Sequence, residues 1–130
     1  MDALLLIAAG LAATLVLETL VFLPLFRKSD GYFVGAFYCV NAATNVSLNL
    51  ILSLAMLLAG NLGIDLREAA SAAYLFGCFT FLAEGFVVWA EYAVLKKFRA
   101  HKNLLGYVAG ANALSAAAGS LMVSFILSSL

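Results

Sequence analysis

Four long apolar stretches follow one another along the chain, separated by short polar breaks. They run over about 3–26, 32–59, 69–95 and 104–130. Each exceeds the roughly 20 residues that carry a helix across a bilayer. The runs are too long and too continuous for the alternating strands of a membrane β-barrel. In hydrocarbon that leaves helices, which satisfy their backbone groups internally. The expected fold is all-α: one polytopic membrane domain over 1–130 with four transmembrane helices. The first span holds Glu18, its N-terminal flank has Asp2 and no lysine, and its apolar run is longer than a signal peptide's. It reads as a retained helix.

The breaks carry turn chemistry. Arg27-Lys28-Ser29-Asp30-Gly31 forms a tight charged turn, and Gly60-Asn61-Leu62-Gly63 ends the second helix. Asp65 and Glu68 have the spacing of a capping box, so the third helix is expected to start near Leu66 and to run to about 99. Lys96 to Asn103 closes it and turns into the fourth.

Basic residues set the orientation. Arg27, Lys28, Lys96, Lys97, Arg99 and Lys102 lie in the first and third breaks, and Arg67 alone lies in the second. The excess places loops one and three in the cytoplasm and both termini outside a plasma (inner) membrane. Tyr32, Tyr38, Trp89, Tyr92 and Tyr107 fall toward that same side, as an interfacial belt does.

Composition sharpens the picture. Hydrophobic residues make up 65% and charged residues 11%, with a mean hydropathy of +1.08. A soluble domain carries about 25% charge, so lipid is the expected solvent. A formal net charge of zero gives no footprint for nucleic acid. Cys39 and Cys78 have no CxxC spacing, against a redox motif or a zinc ribbon.

The chain also repeats. Gly35 to Thr44, with Asn41 at its seventh position, aligns with Gly106 to Ser115, with Asn112 at its seventh, at a constant offset of 71 residues. The match continues through Asn49 over Ser120, Leu50 over Leu121 and Ser53 over Ser124. Leu17-Glu18-Thr19-Leu20-Val21 aligns separately over Ala83-Glu84-Gly85-Phe86-Val87. Two tandem helical hairpins are therefore expected, related by a parallel pseudo-two-fold axis along the membrane normal, an arrangement that frames sites in transporters.

Glu18, Glu84 and Glu91 lie inside the apolar stretches, while every basic residue lies in a break. An acid at mid-membrane costs roughly 2.5–3.5 kcal/mol on insertion scales. Each must be protonated, hydrogen-bonded or neutralised by a cation. At 1.5 Å per residue, Glu18 lies roughly 13 Å in from Arg27 and Glu84 roughly 18 Å in from Lys96. Asn41 and Asn112 come to a similar depth. Glu18 and Glu84 are thus expected as a charge-compensating pair in one layer, with Asn41 and Asn112 as oxygen donors. Glu91 is expected nearer the cytoplasm, at the entrance.

Asn41, Asn45 and Asn49 share one side of helix two, and Thr80, Glu84 and Glu91 one side of helix three. Carboxylates and amide carbonyls suit Na⁺, Mg²⁺ or Ca²⁺ rather than soft metals, and a carboxyl can also exchange a proton. No organic cofactor is implied. Pro24 cannot donate to the carbonyl of Leu20, which frees an acceptor near Glu18 and permits a kink. Taken singly, Thr44, Asn45, Asn49, Ser115 and Ser120 read as interhelical glue of about 0.6 kcal/mol each. Gly106 and Gly110 form GxxxG, with Ala109, Ala113 and Ala117 at four-residue spacing; close packing inside the bundle is expected there, a homodimer seam being the alternative. His101 has no second ligand nearby and reads as solvated.

The intramembrane Glu in helix one, Thr44-Asn45-x-x-x-Asn49 in helix two and the Glu pair in helix three resemble a family of small bacterial four-helix membrane proteins with no assigned activity. That family often reads Thr-Asn-Pro where this chain has Thr44-Asn45-Val46. A looser likeness is to the small multidrug resistance transporters, of similar length and with a glutamate comparable to Glu18 in the first of four helices. That likeness implies proton exchange against a cationic substrate in a homodimer; Glu84, Glu91 and the asparagine ladder depart from it.

The function expected is binding of a cation, a proton or a small cationic substrate within the bundle, as a small transporter or channel and with possible homo-oligomerisation. The alternative is a structural or assembly subunit whose polar layer specifies helix packing or partner docking. An intramembrane enzyme with Glu84 and Glu91 as acid and base has least support, because no nucleophile accompanies them.

Overall fold

A computed structural model describes residues 3–64 and 70–128, with side chains described over 10–64 and 74–118. The described residues form four helices and no strand: α1 (Ala3–Phe26), α2 (Gly31–Asn61), α3 (Ala70–Phe98) and α4 (Leu104–Ser128). The expected capping box at Asp65 and Glu68, the start near Leu66 and Arg67 lie outside the described residues, and the repeat matches at Ser120, Leu121 and Ser124 lie outside the described side chains.

Local chemistry sets the helix ends. Asp30 is the N-cap of α2, its carboxylate accepting from the backbone N–H of Phe33 at 3.0 Å. At the other end Gly63 adopts φ of 70°, the left-handed conformation in which a side chain is strained. There the N–H of Ile64 donates to the carbonyl of Ala59 and that of Gly63 to Gly60, so orphan carbonyls of the last turn are satisfied. Replacing Asp30 by Ala should cost about 1 kcal/mol while Asp30→Asn keeps most of the cap. Melting in detergent checks both.

Each helix packs on two neighbours: α1 on α2 and α4, α3 on α2 and α4. The four form a square in which α1 and α3 are diagonal, as are α2 and α4. The buried residues gather toward the end that carries the turns after α1 and α3. Phe22, Phe33 and Phe37 interdigitate with Leu25, Leu95, Leu104, Val108 and Ala111. Phe37 is 0% exposed, with its ring 4.6 Å from Phe22 and 4.9 Å from Phe26. Arg99 ties this end together: its Nη1 donates to the carbonyl of Lys28 at 2.6 Å, to that of Leu25 at 3.4 Å and to Ser29 Oγ.

Two expectations fail here. Gly106 and Gly110 are exposed, as are Ala109, Ala113 and Ala117. A Cβ added at either glycine meets nothing within 4 Å. The small-residue face of α4 points out of the bundle, because Leu104, Val108 and Ala111 take the inner face. His101 is half-buried rather than solvated, with Nδ1 accepting from the N–H of Asn103 at 3.2 Å and its ring 6.0 Å from that of Tyr107.

Two helices, Gly31–Asn61 and Tyr74–Phe98, are long and apolar enough to cross a membrane. The apolar stretches Gly10–Phe26 and Leu104–Ala118 are shorter. Outward, the bundle shows large apolar groups: Leu50, Leu54, Leu57, Phe81, Leu82 and Phe86 are all exposed.

Candidate functional site: a buried acid pair

Just beyond the aromatic core the interior turns polar. Glu18 on α1 and Glu91 on α3 are each 1% exposed, and Asn41 on α2 is 2% exposed. The two acids come from diagonal helices and meet one turn of α4, where Asn112 bonds Glu91 and Ser115 bonds Glu18. Among the described residues neither acid has a basic partner.

Glu91 is held on both oxygens. Thr44 Oγ1 on α2 donates to Oε1 at 2.5 Å, and Asn112 Nδ2 on α4 donates to Oε2 at 2.6 Å. Glu18 is held on one, with Ser115 Oγ on α4 3.3 Å from Oε1. Its Oε2 is buried and has no hydrogen-bond partner among the described residues.

Hydrogens are scarce around this pair. The Thr44 hydroxyl also lies 2.9 Å from the carbonyl of Val40, and the Ser115 hydroxyl 3.0 Å from that of Asn112. Each hydroxyl has one hydrogen to give. The Asn112 amide splits its two between Glu91 and the carbonyl of Val108, 3.1 Å away. At most three hydrogens therefore serve four carboxyl oxygens. A buried polar atom without a partner costs about 1–3 kcal/mol, and among the described residues Glu18 Oε2 is that atom.

The asparagines do not relieve the shortage. Asn41, Asn45 and Asn49 turn their amide N–H₂ groups back to the carbonyls of Phe37, Asn41 and Asn45, at 2.9, 3.0 and 2.9 Å. The oxygen end of each carboxamide is the end not folded back. The polar layer is rich in acceptors.

The chain pattern and the structure part company over which acids meet. Glu91, not Glu84, comes to Glu18. Glu84 is half-buried and makes no hydrogen bond among the described residues. It lies two turns from Glu91 along the same stripe of α3, about 10.5 Å away along the axis. The expected pair of Glu18 with Glu84, and the expected entrance position of Glu91, are both corrected.

The physical reason is the starting level. Depth counted from Lys96 takes the first lysine as the surface level, whereas Arg99, just past the end of α3, is the residue that meets the end of α1. Counted from that shared level, Glu91 lies eight residues in and Glu18 seven, about 12 and 10.5 Å. They then agree.

Of the other candidates, Thr44, Ser115, Asn41 and Asn112 belong to the buried layer. Asn45 and Thr80 are half-buried and Asn49 is exposed, all toward the end where α2 finishes; Thr80 Oγ1 donates to the carbonyl of Phe76 at 2.9 Å. Pro24 is exposed in the last turn of α1, away from the layer. Two participants escaped the pattern. Thr19 Oγ1 lies 3.2 Å from the Tyr38 hydroxyl, linking α1 to α2 beside Glu18, and Arg99, whose charge alone pointed only to orientation, clamps the bundle end.

Among the described residues no three His, Cys, Asp or Glu side chains come together as a ready metal cage. What is assembled is two carboxylates with hydroxyls and carboxamides. No family model, no curated protein and no solved structure matches this chain.

Proposed function

We propose that the chain is a four-span membrane protein whose Glu18–Glu91 pair binds a proton or a small hard cation, as a small transporter or channel. The observation that carries this is the orphaned Oε2 of Glu18, buried in the polar layer that also holds Glu91. Cheaper residues supply glue between helices. Two acids without a basic partner are expensive in hydrocarbon and mark ion or proton pathways.

Several features support the membrane setting. The exposed leucines and phenylalanines of α2 and α3 are more contiguous apolar surface than a soluble monomer tolerates. Helices α1 and α4 have 24 and 25 residues, about 36 Å or more of rise, against a hydrocarbon core of about 30 Å. Arg27, Lys28, Lys96, Lys97 and Lys102 stand exposed at the end shared by the turns after α1 and α3, which favours a cytoplasmic position for that end and outside termini in a multi-pass inner-membrane protein.

The pairing within the site supports the internal repeat. Thr44 and Ser115 are equivalent by the 71-residue offset. One serves Glu91 and the other Glu18, as a pseudo-two-fold relation requires. Glu91 then takes the place opposite Glu18 that the alignment assigned to Glu84. The proposal includes self-association through the bare small-residue face of α4, the kind of surface on which membrane helices pair.

Flux into liposomes tests this reading, followed with an entrapped pH dye in one arm and with radioactive Na⁺ in the other. The parent should conduct in one arm, and Glu18→Gln and Glu91→Gln should each bring that flux to the protein-free background. Equal flux from all three proteins would sink the proposal.

A second reading has one observation in its favour. The Thr44–Glu91–Asn112 bonds tie α2, α3 and α4 together, as a layer that only specifies packing would. It predicts that removing an acid weakens the bundle.

A further inference from the structure

The acid pair sits at a boundary between two unlike halves of the bundle. On one side of it lie the aromatic core and the Arg99 clamp. On the other, among the described residues, only Val87 is buried, one turn from Glu91. Polar groups continue in that direction. On α3 the stripe that ends at Glu91 carries Glu84 and then Thr80, both half-buried. On α2, the half-buried Asn45 and the exposed Asn49 continue in the same direction along the side of the helix on which Tyr38 meets α1.

We propose that the pair is loaded from the end of the bundle where α2 finishes and α3 begins, along this polar track, with Glu84 as the first acid that an arriving small cation or hydrated proton meets. The inference rests on the reading of Glu18 and Glu91 as a cation or proton site and deepens it by assigning the access side and an approach residue. Glu84 has the position for that task. It is partly open, about two turns short of Glu91, and unbonded among the described residues. A carboxylate at the mouth of a narrow low-dielectric path raises the local concentration of positive species. The track ends at the buried, unpartnered Oε2 of Glu18. From the opposite end the same species would have to cross the packed rings of Phe22, Phe26, Phe33 and Phe37, which offer a charge no oxygen.

Glu84 is on this account an approach residue, distinct from the pair that holds the charge. Residues that only pack α2 on α3 give no reason for sidedness or for a preference between charged and neutral probes.

The test is thiol labelling in the full chain, with Cys39 and Cys78 first replaced by Ser. Asn45→Cys and Thr80→Cys report on the track at two separate positions, and Ala111→Cys reports on the core. Right-side-out and inside-out vesicles receive either a membrane-impermeant cationic thiol reagent or a neutral one of similar size. Both track cysteines should react from the side of the α2–α3 turn only, about tenfold faster with the cationic reagent, and Ala111→Cys from neither side. Adding Glu84→Gln should remove most of the cationic advantage and leave the neutral rate unchanged. Labelling of both track cysteines from the opposite side, from both sides equally or from neither overturns the proposal, as does a cationic advantage indifferent to Glu84→Gln. Loss of the flux difference between parent and Glu18→Gln would instead strike at the binding role of the pair, because labelling requires no transport.

Discussion

Glu18→Met should make the protein more stable in detergent while abolishing flux. Methionine fills a similar volume without polar atoms. The change removes the orphaned Oε2 and ends the apposition of two carboxylates. Ser115, the one hydrogen-bond partner of Glu18, keeps its contact to the carbonyl of Asn112 at 3.0 Å, so no donor is stranded. Removing an unsatisfied buried polar atom is worth about 1–3 kcal/mol, and apolar replacements of buried ionic groups have stabilised proteins by a similar amount. A rise in melting temperature together with lost flux is the signature of a site kept for function at the expense of stability. A packing layer predicts the reverse sign, with Glu18→Met melting lower than the parent. Circular dichroism on the purified protein separates the two.

Phe37→Ala should produce the largest destabilisation. The ring is 0% exposed and lies between those of Phe22 and Phe26, so its removal leaves a cavity in the tightest part of the bundle. Loss of a buried phenylalanine side chain costs about 3–5 kcal/mol. Phe81→Ala is the control, because Phe81 is exposed on α3 and has few protein contacts to lose. A fall in melting temperature of the same size in both variants would mean that the aromatic core is not what holds the helices together. Where Phe37→Ala still folds, its vesicles should also leak protons or Na⁺ faster than the parent's, since the apolar barrier on the Arg99 side is thinned.

These two residues illustrate what is readable from residue order and what is not. That the chain is helical, with breaks at the charged turn after Phe26, at Gly60–Gly63 and at the basic run before Leu104, follows from local chemistry. Asp30 caps and Gly63 turns for reasons contained within a few neighbouring residues. The presence of acids where no basic residue can reach them is equally plain in the order of residues. The partnership of those acids is not. Glu84 and Glu91 are seven apart, so both lie on one stripe, and periodicity cannot choose between them. The internal alignment favoured Glu84 through its neighbours along α3, while hydrogen bonding across the bundle favours Glu91.

Lys96, the first lysine of the basic run, set the depth scale for α3, yet the level that matters is where Arg99 meets the end of α1. The GxxxG of α4 carried a similar ambiguity. Small residues permit close approach but do not say to which helix, and here the inner face went to Leu104, Val108 and Ala111.

Residue order alone thus settled the helical class, the break points and the unusual presence of unpaired acids in apolar surroundings, because each depends on interactions within a turn or two of the chain. Three-dimensional packing settled which acid shares the layer of Glu18, which oxygen is left without a hydrogen among the described residues, and which end of the bundle Arg99 ties together. Those depend on how far one helix slides along another, a quantity set by the contacts of Arg99 and the aromatic core and written in no single helix.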